Sequence, residues 1–248
     1  TCYLKWRKYI MALPKLNESI KYSVKIPSTG EIVKYRPYLV KEEKVLMVAL
    51  EQGDEQGSLE AIADTLEACI DEPINVRNLP IFDIEFLFTQ IRSKSVGETT
   101  TIQSNCVECD TPNEIKVDIS KVNIKVPKTA NSKQIKLSSD IILEMKYPTL
   151  KDIASKFNKY KSGNQTDQAF DMIAACIDAV QTKDERISLS DESEEEISSF
   201  IESFSTEQFL KVKDFIEQMP RLKHDIEFKC DKCEHNNKLT LEGTADFF

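Results

Sequence analysis

The sequence predicts an α+β fold made of N-terminal strands and helices, a unit of two C-x-x-C hairpins, and an all-helical insert between those hairpins. Three observations lead to this prediction. Apolar residues recur at helical spacing in several segments, they alternate with polar residues in others, and each C-x-x-C pair lies between alternating segments. With 248 residues, 40% of them hydrophobic, the chain can bury a substantial core.

These patterns divide the chain into five segments. They are an expected upstream extension (1–10), an N-terminal α/β region (11–97), the first hairpin with further strands (98–148), the helical insert (149–220), and the second hairpin with a C-terminal tail (221–248). Met11 opens an ordinary start, Met-Ala-Leu-Pro-Lys, which favours the view that Thr1–Ile10 precedes the native protein. A short disordered N-terminal tail is the alternative.

The N-terminal region is predicted to begin with strands and continue with helices. Ser19–Val40 partly alternates, so we expect two short strands around the turn Pro27–Gly30. Three helices should follow, at Lys41–Gln52, Ser58–Ile70 and Ile81–Lys94. The third opens directly after Pro80, and proline suits the first turn of a helix.

Beyond the first hairpin, Thr99–Ser120, the sequence predicts more strands and then helices. The strands are Val122–Val126 and Ile135–Met145, the second an expected sheet edge. The helices are expected at Thr149–Lys161, at Asp167–Gln181, at a segment with the apolar residues Ile197, Phe200, Ile201 and Phe204, and at Thr206–Met219. Arg186–Ser190 should be extended or a loop.

Four of the seven cysteines form two C-x-x-C pairs, Cys106 with Cys109 and Cys230 with Cys233. Aligning Cys106 on Cys230 also superposes apolar and polar neighbours. Ile102 falls on Ile226, Asn113 on Asn237, Ile115 on Leu239 and Val117 on Leu241. We therefore interpret the two units as copies of one hairpin type.

Two such hairpins face to face can present four thiolates in a tetrahedron, which is the arrangement of a zinc ribbon. A closed shell of four protein ligands is typical of structural zinc. Cys106, Cys109, Cys230 and Cys233 are thus the predicted metal ligands. The alternative is a pair of redox-active or disulfide-forming motifs, although neither motif precedes the helical pattern that a thioredoxin-type site requires. Cys69 and Cys176 lie on apolar helical faces and are expected in the core.

Charge and motif content exclude several classes of function. The net charge is −9, which disfavours binding to a phosphate backbone as the main role. The chain has two histidines and six glycines, and we find no phosphate-binding loop, nucleophile elbow, metalloprotease motif or calcium loop. No group of residues in the sequence indicates an enzyme active site.

Several motifs in the N-terminal region are long enough to be specific. They are Ile26-Pro27-Ser28-Thr29-Gly30, Lys34-Tyr35-Arg36-Pro37, Val40-Lys41-Glu42-Glu43-Lys44, Phe82-Asp83-Ile84-Glu85-Phe86-Leu87-Phe88, Arg92, and Lys94-Ser95-Val96-Gly97-Glu98. These motifs resemble the baseplate hub subunit, or hub assembly protein, of T-even-type contractile-tailed bacteriophages, with the second C-x-x-C and the closing Asp-Phe-Phe as support. The resemblance is clearest from Met11 to about Cys109.

The resemblance implies a late viral protein that helps to build the central hub of the tail baseplate by binding other hub proteins. It would be in the host cytoplasm during assembly and would then either stay in the tail baseplate of the virion or leave it. It carries over a structural role and no active site. Our candidate partner-binding residues are Tyr35, Arg36, Lys41, Arg92, Lys94, Phe247 and Phe248. The alternative is a zinc-ribbon protein that binds nucleic acid, since Lys229, Lys232 and Lys238 surround the second hairpin, but acidic residues dilute that charge.

Overall fold

The computed structural model describes residues 20–52, 55–125, 133–154 and 165–246. Within these ranges the protein is mixed α+β, as predicted, with seven α-helices and four small sheets. The helices are α1 (Val40–Glu51), α2 (Glu55–Cys69), α3 (Ile81–Ser95), α4 (Leu150–Ala154), α5 (Gln165–Cys176), α6 (Glu194–Glu202) and α7 (Thr206–Glu217). The strands are β1 (Tyr22–Lys25), β2 (Ile32–Tyr35), β3 (Thr99–Asn105), β4 (Pro112–Asp118), β5 (Asn123–Lys125), β6 (Gln134–Lys136), β7 (Ile142–Met145), β8 (Ile177–Gln181), β9 (Arg186–Ser188), β10 (Arg221–Lys229) and β11 (Asn236–Glu242). No helix in the described ranges is long and apolar enough to cross a bilayer.

The N-terminal region forms the first hydrophobic cluster. β1 and β2 pair antiparallel, and the alternation of β2 turns Val33 and Tyr35 inward. Helices α1 to α3 pack against this hairpin. The buried members are Ile26, Val33, Tyr35, Tyr38, Leu46, Ala49, Ala61, Ala63, Leu66, Cys69, Ile70, Val76, Ile84, Leu87, Phe88, Ile91 and Leu150.

The start of α1 is held by a buried carboxylate. Glu42 accepts hydrogen bonds from the Leu39 N–H and from the Arg36 guanidinium, both at 2.8 Å. Burial raises the pKa of Glu42, but these hydrogen bonds and one from Lys41 outweigh it and lower the pKa to about 2. The ionised carboxylate therefore stabilises the fold.

Replacing Glu42 with Gln should reduce the acid sensitivity of the protein. A carboxyl group with a depressed folded pKa stabilises the fold above its ordinary pKa of 4.5, and this contribution is lost as the pH falls towards about 2. We expect E42Q to lower the free energy of unfolding by roughly 1–3 kcal/mol at pH 7 and by much less at pH 3. Urea unfolding at both pH values measures this. E43Q, at the adjacent position, is the matched control, and an equal loss for E42Q at both pH values would contradict the prediction.

The two C-x-x-C hairpins share a second hydrophobic cluster. β3 pairs antiparallel with β4, and β10 pairs antiparallel with β11. The far edge of β10 pairs with β5, which follows the first hairpin, so the end of the chain joins a sheet with residues near its middle. The buried members of this cluster are Ile115, Val117, Ile119, Val122, Leu222 and Leu241.

The segment between the hairpins is not all-helical, so that part of the predicted fold is wrong. The expected helix Asp167–Gln181 ends at Cys176, and β8 follows at once in a sheet ordered β6-β7-β8-β9. β8 pairs with β7, with Val180 opposite Leu143. A continuous apolar run is compatible with a buried strand as well as with a helix, and here pairing with β7 makes the segment a strand. β6 and β7 likewise replace the single strand expected at Ile135–Met145, and β7 lies inside the sheet.

This sheet and helices α5 to α7 form the third cluster. Its buried members are Leu137, Leu143, Met145, Ile173, Cys176, Ile177, Val180, Leu189, Ile201, Val212 and Phe215. Two serine caps start the last helices. Ser193 accepts from the Glu196 N–H, and Ser205 accepts from the Gln208 N–H, each with the capping-box glutamate or glutamine reaching back.

Helix α3 touches all three clusters. Ile84 and Leu87 point into the N-terminal core, while Phe86 packs against the hairpin core. Phe82 meets Tyr147 of the third cluster edge to face, with ring centroids 5.3 Å apart. The buried Asp83 accepts hydrogen bonds from the backbone and side chain of Ser28 in the β1–β2 turn. This one helix therefore connects every part of the described structure.

Candidate metal centre

The two C-x-x-C turns have the same backbone hydrogen bonds. Cys106 N–H donates to the Thr111 carbonyl at 2.9 Å, and Cys230 N–H donates to the His235 carbonyl at 2.9 Å. In the opposite direction, Asp110 N–H donates to the Cys106 carbonyl, and Glu234 N–H donates to the Cys230 carbonyl. We refer to these turns as knuckle 1 (106–111) and knuckle 2 (230–235).

The residue after the second cysteine of each knuckle has a left-handed backbone. Asp110 has φ 54° and Glu234 has φ 61°, and they are the only non-glycine residues with positive φ in the described ranges. Glycine adopts this conformation at the lowest steric cost. The turn therefore needs a left-handed residue at the place where the sequence provides an aspartate and a glutamate.

Glycine at these two positions should stabilise the protein. The left-handed conformation costs an ordinary residue roughly 1–2 kcal/mol, and the greater freedom of unfolded glycine offsets part of the gain. We expect D110G and E234G each to raise the free energy of unfolding by about 0.5 kcal/mol, measured by denaturant titration. E108G, in the same turn but without positive φ, should not stabilise, and a loss of stability in D110G would contradict the prediction.

The knuckles bring four thiol groups together. The Sγ atoms of Cys106 and Cys233 are 3.6 Å apart, those of Cys109 and Cys230 are 3.7 Å apart, and all four lie within 4.8 Å of one another. A tetrahedral zinc site with bonds of about 2.3 Å has sulfur–sulfur edges of about 3.8 Å. A disulfide needs about 2.05 Å. The observed distances thus fit a shared four-coordinate metal.

Backbone amides favour the thiolate form at the first cysteine of each knuckle. Burial raises the pKa of Cys106, but hydrogen bonds from the Glu108 and Cys109 N–H groups and from Asn237 outweigh it and lower the pKa to about 6. The Cys233 and Lys232 N–H groups lower the pKa of Cys230 in the same way. Thiolates are the metal-binding form of cysteine, so these amides prepare the site for a cation.

The thiol of Cys233 differs from those of Cys106 and Cys230. A hydrogen bond from the His235 N–H lowers the pKa of Cys233, but its contacts with Cys109 and the other thiols raise it to about 12. Neighbouring groups cannot all ionise when nothing balances their charge. A bound divalent metal would supply that charge and deprotonate the cysteines. The residues present therefore fit a structural metal site closed by four cysteines.

Two buried asparagines lie next to the thiols. They occupy equivalent positions in the two aligned hairpins, but the cysteine motifs alone do not predict that they belong to the site. Asn113 is 4% exposed and Asn237 is 2% exposed. Asn237 accepts the Val107 N–H of knuckle 1 at 3.0 Å, and Asn113 accepts the Asp231 N–H of knuckle 2 at 3.0 Å. Their equivalent positions in the two hairpins are the feature of the sequence that could have indicated this role.

The first three predicted partner-binding residues lie around the start of α1. Tyr35 is in the N-terminal core, 3% exposed, with its ring centroid 5.7 Å from that of Tyr22. Arg36 binds Glu42 and the Ala68 carbonyl. Lys41 is exposed and lies 3.1 Å from Glu42. Tyr35 is thus a core residue, Arg36 is half-buried, and Lys41 faces solvent.

The remaining predicted residues are on α3 and at the C-terminus. Arg92 is half-buried, and burial lowers its pKa. Lys94 pairs with Glu98 and lies 5.6 Å from the centroid of the Tyr22 ring. Phe247 and Phe248 fall outside the described residues. The structure gathers the four predicted cysteines at one place, whereas the five predicted partner-binding residues that it describes are spread over the N-terminal region.

Comparison with known proteins identifies the family. No curated protein and no solved structure matches the chain significantly. The family described as "T4 bacteriophage base plate protein" matches residues 19–248, which includes both knuckles and the segment between them. The match covers nearly the whole chain and agrees with the resemblance seen in the N-terminal motifs. The chain therefore belongs to the T4-type phage baseplate protein family.

Proposed function

We propose that this protein is a structural or assembly component of the central hub of a contractile phage tail baseplate. The family match over residues 19–248 carries the proposal. Membership of a baseplate family indicates a structural protein that interacts with other baseplate components in the virion tail. The hub location, binding to other hub proteins, expression late in infection and assembly in the host cytoplasm are the specific parts that we propose.

We further propose that Cys106, Cys109, Cys230 and Cys233 bind a structural zinc ion. Their mutual distances support this role, and soft thiolate ligands favour zinc among the common divalent metals. A redox role is less well supported, because the thiol contacts at 3.6 and 3.7 Å join cysteines of different motifs. The metal would then fasten two hairpins that are far apart in the chain.

The surface of the second hairpin does not favour nucleic-acid binding. Lys229 pairs with Glu234, and Lys238 pairs with Glu227, each at 2.9 Å. Lys223 pairs with Glu242 at 2.5 Å. Phosphate binding depends on cations that are free to replace counterions, so these pairs weaken the main alternative to a protein-binding role.

The exposed side of α1 supports a partner-binding surface near Lys41. Val40, Met47 and Leu50 are all more than half exposed there. Clustered exposed apolar residues mark interaction sites more often than singly placed ones. This exposed face favours Lys41 among the proposed contacts with hub proteins, which are Tyr35, Arg36, Lys41, Arg92, Lys94, Phe247 and Phe248.

Quantitative mass spectrometry of purified tails tests the proposed location. A fixed integer ratio of this chain to other hub proteins would identify a component of the particle. Presence in assembly complexes from infected cells, with absence from finished tails, would identify an assembly factor. Absence from both would contradict the proposal.

A further inference from the structure

We propose that Asn113 and Asn237 form a reciprocal brace in which each asparagine holds the opposite knuckle and so positions the four thiols. The inference rests on the proposed metal centre, but it concerns residues that are not ligands. It begins from the crossing of two hydrogen bonds. Asn237 is on β11 and accepts a hydrogen bond from the Val107 N–H of knuckle 1. Asn113 is on β4 and accepts a hydrogen bond from the Asp231 N–H of knuckle 2.

Each side chain is also fixed within its own hairpin. Asn113 Nδ2 donates to the Thr111 carbonyl at 2.7 Å, and Asn237 Nδ2 donates to the His235 carbonyl at 3.0 Å. The acceptor and donor of each amide are therefore both used. Since the side chains are almost fully buried, losing one partner leaves a buried polar group unsatisfied, which costs more than an exposed hydrogen bond.

The two braces are not equivalent. Asn237 Nδ2 also lies 3.5 Å from Cys106 Sγ, within the range of a hydrogen bond to sulfur. Asn237 therefore contacts a thiol directly while it holds the knuckle that carries this thiol. We expect its removal to weaken metal binding more than removal of Asn113 does.

The brace explains how two sequence-distant hairpins present one site. The residue after the first cysteine of each knuckle is hydrogen-bonded to the other hairpin, so neither knuckle can move away without breaking a buried contact. Groups that orient metal ligands commonly change metal affinity by 10–100-fold when they are mutated. Asn113 and Asn237 are positioning residues in this sense.

Hydrogen exchange and Co²⁺ titration of the full-length protein test the brace. N237A should speed exchange of the Val107 amide about tenfold or more and leave Asp231 protected, whereas N113A should do the reverse. Co²⁺ affinity should fall roughly 10–100-fold in each variant, with the larger loss in N237A. N236A, which alters the adjacent exposed asparagine, should resemble the wild type in both measurements.

Faster exchange in the opposite knuckle distinguishes the proposed brace from a general loosening of the hairpin that carries the substitution. If each variant exposed amides of its own hairpin only, or if both matched N236A, the inference would be overturned. If the wild-type protein bound neither Co²⁺ nor Zn²⁺, the metal centre would fail, and the exchange pattern alone would then support or overturn the brace. Circular dichroism confirms that the variants are folded, and N113S provides a smaller change if N113A is not.

Discussion

Replacing Cys109 with Ser is expected to lower bound metal and thermal stability together. The hydroxyl group of serine is a poor ligand for zinc, and three remaining thiolates leave the coordination shell open. Structural zinc contributes roughly 10–16 kcal/mol in small zinc-binding peptides, so the loss in this larger protein should reach several kcal/mol. Elemental mass spectrometry of the purified protein and a thermal melt measure the two effects.

A chelator gives the control for this substitution. In the wild type, metal removal should lower Tm towards the value of C109S, while the same treatment should change C109S little, because both act on one site. C230S should reproduce the result from the other knuckle, since Cys230 Sγ is the near neighbour of Cys109 Sγ at 3.7 Å. Unchanged metal content in C109S would contradict the proposed site.

Replacing Leu87 with Ala is expected to cause a large loss of stability. Leu87 is 0% exposed and lies in the N-terminal cluster on the helix that joins all three clusters. Truncating a buried leucine removes apolar contact and leaves a cavity, at a cost of about 2–5 kcal/mol. Urea unfolding monitored by circular dichroism measures the change.

Leu210 provides the matched control for the cavity. It is also a leucine inside a helix, α7, but it is 55% exposed. L210A should therefore change the free energy of unfolding by no more than about 0.5 kcal/mol. Similar losses in L87A and L210A would contradict the prediction, because alanine is the better helix former and only burial in the core distinguishes the two sites.

Local patterns in the sequence predicted a large part of the structure. Helix α3 was expected at Ile81–Lys94 and spans Ile81–Ser95, because Pro80 marks its start and its apolar spacing is helical. Strand alternation and the paired motifs likewise predicted antiparallel pairing on both sides of each knuckle. The four cysteines that the sequence grouped are the ones that meet.

The structure differs from the sequence-based predictions where contacts between residues distant in the sequence determine the local structure. Ile177–Gln181 continues an apolar helical pattern, but β7 offers a strand partner, and only the tertiary structure shows this. Asn113 and Asn237 look like ordinary turn residues in a linear sequence, because their partners lie 118 and 130 positions away. The hydrogen bond from Arg36 to the buried carboxylate of Glu42 is likewise a contact that the linear sequence does not show.

The order of the two knuckles along the chain has a consequence for protein synthesis. Cys109 leaves the ribosome 121 residues before Cys230, roughly 6–24 s at elongation rates of about 5–20 residues per second. During that interval the nascent chain offers only half of a ligand set, and β10 is not yet available to pair with β5. A prematurely terminated chain would never complete either feature. If the proposed metal centre is correct, a chain that ends before Cys230 would lack both half of the ligand set and the strand that pairs with β5.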